Sequence, residues 1–310
     1  MKKQKAGDAV ETLETLSASL KTAGGIRSIV RTMKSLSAAS IHQYESAAEA
    51  IAKYSDTVDQ GLQVVLQKRQ VQGPDGHIWQ RDTVDSGRRA IIVIGSDRGL
   101  CGRFNDKIAA FASKDLLRTE DAAHHKPLLC VIGIRAAARL STEGHEADGT
   151  IPLPGSAGGL SHVAQQVITY IERIHRTEGV TQVQLAHNSR RAGVGANPVA
   201  RVILPVPPDY LKALAQKPWP SRRLPMFRME GTALLRWLLR ENIYVAVYRA
   251  LAESLASEHA SRLASMQNAE HNINERQEDL QASFRRKRQE SITGELLDLI
   301  VGFETSQPQE

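Results

Sequence analysis

The sequence predicts an α/β domain set between two long helical segments, and three observations carry that expectation. All 12 prolines lie between Pro74 and Pro308, and 11 of them fall between Pro74 and Pro225. Proline interrupts the helical hydrogen-bond ladder, so residues 1–73 and 226–307, which have none, are free to run as helix. The C-terminal stretch carries an apolar stripe at helical spacing, and the middle alternates strand-like with helix-like patterns. Together these divide the chain at 1–73, 74–225 and 226–310.

In the N-terminal segment Leu13, Leu16, Leu20, Ile26 or Ile29, Met33 and Leu36 recur at helical spacing. The small residues Ala38 and Ala39 follow, where a second helix can approach closely. Gly24-Gly25 costs about 1 kcal/mol per glycine against alanine, so a kink there, or a break into two shorter helices, is expected. In the middle, Ala90–Ile94 and Leu128–Ile132 read as buried strands, with Val183–Ala186 and Val199–Leu204 as weaker ones. Helical patterns at 104–118 and 161–178 fall between them, which implies an α/β sandwich with a largely parallel sheet. Gly73-Pro74-Asp75-Gly76 and the run from Pro205 to Pro225 read as surface connections. From Leu255 the apolar positions continue at Leu263, Met266, Ile273, Leu280, Phe284, Ile292, Leu296 and Leu299. A helix over most of this span is on the order of 100 Å long at 1.5 Å per residue. Its stripe needs a partner helix, and the N-terminal segment supplies one.

Composition narrows the function. At 41% hydrophobic and 24% charged, the 310 residues can bury a core. Two cysteines, Cys101 and Cys130, exclude a disulfide scaffold and a multi-cysteine zinc module, and read as free thiols. No apolar run reaches membrane-spanning length, and the basic-then-acidic start lacks the core of a signal peptide. An intracellular chain that is not itself inserted in a bilayer is expected. The net charge of +6 raises nucleic acid or an anionic membrane surface as partners.

Several motifs invite a chemical reading. Gly95-Ser96-Asp97-Arg98-Gly99-Leu100-Cys101-Gly102 follows a strand, where backbone N–H groups can cradle phosphate. Its spacing is neither G-x-G-x-x-G nor a Walker sequence and it lacks the phosphate-gripping lysine, which favours a structural turn. His124-His125 and Glu258-His259 match no metal spacing, and no serine–histidine–acid triad assembles. Arg285-Arg286-Lys287-Arg288 points in all directions around a helix, so it suits an acidic protein partner at least as well as nucleic acid. An α/β nucleotide-binding protein with helical arms and a coiled-coil adaptor both remain open on these residues alone.

The motifs, taken in order, resemble the gamma subunit of F-type ATP synthases. Ser96, Asp97, Arg98, Gly99, Leu100, Cys101 and Gly102, followed by Asn105, are similar to one signature of that family. Glu253-Ser254-Leu255-Ala256-Ser257-Glu258-His259-Ala260, then Arg262, Met266, Asn268-Ala269 and Asn272, resemble a second. Arg288-Gln289 followed by Ser291-Ile292-Thr293 and Glu295 resemble a third. Ile29, Met33 and Ser37-Ala38-Ala39 fit its helix entry more loosely, and Val202–Pro205 resembles the end of its α/β domain. The likeness runs from about residue 10 to residue 302 and is poor over 140–180.

The resemblance implies an antiparallel two-helix coiled coil from the terminal segments with an inserted Rossmann-like α/β domain. It implies a non-catalytic rotor shaft, one copy per complex and without a cofactor or metal. The shaft sits inside a hexamer of alpha and beta subunits, above the epsilon subunit and the membrane rotor ring, and couples ion flow to ATP chemistry. Its place is peripheral, at the cytoplasmic face of a bacterial cell membrane. Met33, Arg288, Gln289, Thr293 and Glu295 would then contact the beta subunits and line the shaft. The departures at Gly24-Gly25, at Ser40-Ile41-His42-Gln43-Tyr44 and at Gln267 mark a divergent branch, one of the alternative bacterial F-type ATPases being an example. No cysteine pair for a chloroplast-type redox switch is present. Residues 74–225 carry a net +6 while 226–307 carry −2, so the excess charge is expected to serve the polar loops of the ring or nearby lipid headgroups.

Overall fold

A computed structural model of the chain describes residues 12–68, 87–117, 126–190, 196–219, 221–222 and 225–305. The surface connection expected at Gly73-Pro74-Asp75-Gly76 and the pair His124-His125, together with Arg191 and Arg223, lie outside the described residues. The elements are α1 (Leu13–Lys68), β1 (Arg88–Ile94), α2 (Phe104–Phe111), β2 (Leu128–Ile132), α3 (Ile134–Thr142), β3 (Gly149–Ile151), α4 (Leu160–Thr177), β4 (Val180–Arg190), β5 (Ala196–Leu204), α5 (Pro208–Gln216) and α6 (Gly231–Thr305). They form two compact units, Met1–Leu36 with Ala264–Glu310, and Ser37–Leu263.

In the first unit the N-terminal part of α1 pairs with the C-terminal part of α6. Arg31 and Lys34 both reach Glu270, at 2.9 and 2.5 Å, and Arg27 donates to Gln277 at 3.3 Å. Later residues of α1 thus meet earlier residues of α6, which makes the pair antiparallel. Leu16, Val30, Met266 and Leu280 are buried. The alternative of a break at Gly24-Gly25 is not realised, and α1 runs through as one helix. Two glycines cost about 2 kcal/mol in a helix interior, a small sum against the packing of a 56-residue helix on its partner. Two further expectations need correction. Ile26, Ile29 and Leu36 are exposed, and Val30 and Ser37 are buried in their place. The buried positions of α1 recur every seven residues (Val30, Ser37, Tyr44, Ile51, Val58, Val65), and a residue one place before such a position lies roughly 100° around the helix. The stripe of α6 also stops short: Leu280 is buried and Phe284 half-buried, whereas Ile292, Leu296 and Leu299 are exposed.

The second unit is built on a sheet of order β3-β2-β1-β4-β5. β1 is parallel to β2 and β4, β2 is parallel to β3, and only β5 runs antiparallel, against β4. Alternation along β1 serves both faces. Ala90, Ile92 and Ile94 join the core formed with α4 and with parts of α1 and α6. Ile91 and Val93 join a second core with α2 and α3. Such a strand, buried on both sides, reads as the continuous apolar run seen in the sequence. The helical pattern at 104–118 resolves into α2 followed by a π turn over Ala112–Leu116, and that at 161–178 into α4. β3 and α3 are additional to the elements expected: β3 has three residues, too few for a period, and α3 buries only Ala136 and Leu140. The run from Pro205 to Pro225 is not simply a connection: it contains α5, whose prolines sit at its start, where no N–H is needed. Gln63 and Gln67 of α1 donate to the Lys217 carbonyl just beyond α5, at 2.6 and 2.8 Å.

Candidate functional site

Two of the sequence motifs meet in the second unit: the loop after β1 and the stretch of α6 from Ser254 to Arg262. The loop must turn sharply at the end of a buried strand, and small residues allow it. A Cβ on Gly95 would stand 2.1 Å from that of Ala136, and one on Gly133 (φ +113°) would stand 2.8 Å from the Ser96 nitrogen. The loop therefore packs directly on the start of α3. Asn105 fixes its first residue by accepting from the Ser96 N–H at 3.1 Å and donating to the Ser96 hydroxyl at 2.8 Å, and that hydroxyl donates to the Arg98 carbonyl at 2.9 Å.

Asp97 accepts from the backbone N–H of Ile134 and of Leu153, both at 2.8 Å. Ile134 is the first residue of α3, so the carboxylate occupies the N-terminal end of that helix, where the dipole favours negative charge. The chain's own anion thus fills the place a phosphate would take, at the carboxyl end of β1 where doubly wound sheets bind ligands. Cys101 and Phe104 bury beside Ala196, and Asn188 donates to the Phe104 carbonyl at 3.0 Å.

The outer part of the loop is held by α6. Ser261 donates to the Cys101 carbonyl at 2.6 Å, and Arg262 donates to the Gly99 carbonyl at 3.3 Å. Arg262 also pairs with Glu258 one turn earlier, at 2.5 Å, and both side chains are buried. Burial pushes the Glu258 carboxyl up, and Arg262 opposes this. His259 stacks on Tyr44 of α1, with ring centroids 5.6 Å apart, and burial together with Arg262 and Arg98 lowers its pKa to about 4. Ser254 and Ser257 are buried, and such small residues let neighbouring backbones approach. Between the two anchored carbonyls, Leu100 is held at φ 64° with its side chain exposed. A non-glycine residue in that region is strained, and here the flanking hydrogen bonds enforce it. Burial pushes the Cys101 thiol up and that of Cys130 to about 12, so neither is activated.

A second link, not anticipated from the sequence, ties β4 to α6. His187 contacts Glu253 at 3.1 Å, Ser189 donates to the same oxygen at 3.3 Å, and Arg249 donates to the other at 2.8 Å. The hydrogen bond with His187 and that from Arg249 hold the Glu253 carboxyl at about 2. Nothing local announces this cluster, since its members lie on two elements far apart in sequence.

The remaining motif residues lie in the first unit. Met33 is half-buried on α1 and Met266 is buried, while Asn268, Arg288, Gln289, Thr293 and Glu295 are exposed on α6. Thr293 donates to the Gln289 carbonyl at 2.9 Å, and Ser291 donates to Glu295 at 3.4 Å, both within the helix. Among the described residues no cluster of histidine, cysteine and carboxylate could hold a metal ion.

Fold and site together define a protein of paired long helices with an inserted α/β domain, whose signature loop is used to join the domain to a helix. A model of the ATP synthase family matches residues 12–305, and the chain belongs to that family. It is 29% identical over 289 residues to the ATP synthase gamma chain of Anaeromyxobacter sp., covering 90% of this chain and 93% of that one. It is 28% identical over 294 residues to the gamma chain of Salinibacter ruber, covering 90% and 92%. Among solved structures, chains of the Euglena gracilis mitochondrial ATP synthase share the fold. One from an OSCP/F1/c-ring structure has a TM-score of 0.63 at 18% identity, covering 94% of each chain. One from a rotor structure has a TM-score of 0.58 at 17% identity, covering 90% of this chain and 98% of that one.

Proposed function

We propose that the chain is the central rotor shaft, the gamma subunit, of a membrane-bound F-type ATP synthase, and that it is itself non-catalytic. The observation that carries this reading is the joint at Gly99, Cys101, Ser261 and Arg262, which fastens the α/β domain to α6. A shaft that transmits torque between a domain and a helix needs such a joint; an enzyme would leave the loop open to substrate. Asp97, occupying the phosphate position, supports the non-catalytic part. Relatives named gamma chains, matched over nearly their whole length, support the rest.

On this reading residues 1–73 and 226–310 form the shaft and 74–225 its α/β foot. The partners are the alpha and beta subunits of the hexamer, the epsilon subunit and the membrane rotor ring, with one copy of the chain in each complex. The chain needs no cofactor, and it works peripherally at the cytoplasmic face of a bacterial cell membrane. Arg288 and Gln289 contact beta-subunit loops, Met33 lies near them on the N-terminal helix, and Thr293 and Glu295 lie one to two turns further along the shaft. Charge-assisted hydrogen bonds from Arg288 would give direction to contacts that must be released at every step.

The test is reconstitution with the cognate alpha, beta and epsilon subunits and the ring in vesicles. The full chain should restore ATP-driven ion pumping and should hydrolyse no ATP alone. Deletion of 285–310 should lower the ratio of ions pumped to ATP hydrolysed while the isolated chain stays folded. Pumping at the full ratio by the truncated complex would remove the assignment of that end.

A further inference from the structure

Between β4, β5 and α6 lies a largely enclosed cavity of about 40 Å³, with room for one water molecule or one monatomic ion. His187, Arg201, Arg249 and Glu253 supply its polar lining, and apolar side chains form the rest of the wall. One of the polar groups is incomplete. His187 is 3% exposed, its Nε2 is engaged by Glu253 at 3.1 Å, and its Nδ1 is buried with no hydrogen-bond partner among the described residues. A buried polar nitrogen without a partner is costly, and the cavity that its own ring lines is where a partner can be held.

The charges around the ring come from several elements. On α6 the Glu253 carboxylate has both oxygens occupied, one by His187 and Ser189 and the other by Arg249. That carboxylate is ionised and accepts, so Nε2 carries the first proton of the ring and leaves Nδ1 a bare acceptor. On β5 Arg201 is exposed, and its guanidinium makes no hydrogen bond or ion pair with the described residues. On α1 Glu45 is tied to Arg190, three positions along β4 from His187, at 2.8 Å. Two guanidinium groups thus line the cavity with one carboxylate that is already satisfied. A second proton turns Nδ1 into a donor and adds a third cation.

We infer that this cavity is a site for a small monovalent anion of the chloride type, taken up together with a proton on His187 Nδ1. The inference goes beyond the proposed function and does not rest on it. A proton and a monovalent anion enter as a neutral pair, so the buried net charge does not grow. A cation meets the two guanidinium groups and is excluded. A water molecule satisfies the neutral ring but does not cancel the charge of the protonated one. Occupancy tightens the link between β4 and α6 and makes it respond to acidity and halide together.

The experiment is urea unfolding of the full chain at about pH 5.5 and about pH 8.5, which bracket the range in which imidazoles titrate. Each series is run in sodium chloride and in sodium gluconate at about 150 mM, so that screening is equal while only chloride fits the cavity. Chloride should raise the folding equilibrium constant about tenfold over gluconate at the lower pH, and less than about twofold at the higher. In His187→Gln the amide can still donate to Glu253 but takes up no proton, and the gain should fall below about twofold at both pH values. Arg201→Gln should reduce it to about threefold. Circular dichroism reports whether each variant is folded. A crystal of the unaltered chain, grown at the lower pH with bromide, tests the site without any variant. Anomalous scattering should place one ion beside His187, Arg201 and Arg249.

No chloride-specific gain at the lower pH, or an equal gain at both, would overturn the inference. So would a gain kept in full by His187→Gln or by Arg201→Gln. A cavity without anomalous signal would make it a water site only. Because these readouts need no other subunit, failure of the chain to assemble in reconstitution would count against the proposed function alone.

Discussion

Helix α6 carries two stretches that the sequence presents as motifs, and they differ in almost every physical respect. From Ser254 to Arg262 the side chains are mostly buried, hydrogen-bonded to a loop of another element and set among groups that shift their ionisation. From Arg285 to Val301 most are exposed and bonded, where they are bonded at all, within their own helix. Both stretches mix charged with apolar residues, so composition does not separate them. The first is used inside the molecule. The second, with Ile292, Leu296, Leu297, Leu299, Ile300 and Val301 all about half exposed or more, has the character of a surface awaiting a partner.

That contrast can be broken by experiment, beginning with Arg262→Ala. This change leaves the buried Glu258 without its hydrogen-bonded cation and the Gly99 carbonyl without its donor, and should cost about 3–5 kcal/mol. Urea denaturation of the chain measures it, and a loss below about 1 kcal/mol would mean the joint is not structural. Gly95→Ala comes next, at about 1–3 kcal/mol, because the new methyl group overpacks against Ala136. Adding Ala136→Gly should recover most of that loss; no recovery would place the strain elsewhere.

The effect of pH is smaller and has two windows. His259 titrates at about 4 in the folded chain against an ordinary 6.5, so the unfolded chain takes up the proton first. Its contribution is complete above about 6.5 and declines as pH falls towards 4. Glu253, lowered from 4.5 to about 2, contributes fully above 4.5 and loses that contribution as pH falls through 2. Denaturant midpoints recorded across this range should show His259→Gln flattening the upper window and Glu253→Gln the lower. The smallest expected change in stability is that of Arg288→Ala, within about 0.5 kcal/mol as for an exposed site, accompanied by lower ATP-driven pumping in the reconstituted complex. Destabilisation comparable to that of Arg262→Ala would erase the distinction between the two stretches.

Much of the architecture was legible before any coordinates. Two proline-free stretches became α1 and α6, and the apolar runs at Ala90–Ile94 and Leu128–Ile132 became the centre of the sheet. Strands buried on both faces and long helices write themselves as uniform patterns, and several family motifs in order identify the lineage. What stayed hidden was short or relational. β3 has three residues, too few for a period, and α5 lay behind prolines that suit a helix start as well as a loop. Ile29 and Leu36 lie off the buried face of α1, because helical spacing permits several stripes on one helix. Burial every seventh residue, at Val30, Ser37 and Tyr44, follows from the presence of a second helix. The pairing of Ser261 and Arg262 with the carbonyls of Cys101 and Gly99 spans some 160 positions, and no local rule links backbone acceptors to side chains at that distance.

Periodicity, proline placement and motif order settled which segments are helix, which are sheet and to which family the chain belongs, because these are properties of neighbours along the chain. Tertiary structure alone decided which motif residues turn inward. Burial and hydrogen bonding depend on what another element brings to the same place, so Asp97 became a helix cap, Arg262 a joint, and Arg288 an exposed charge.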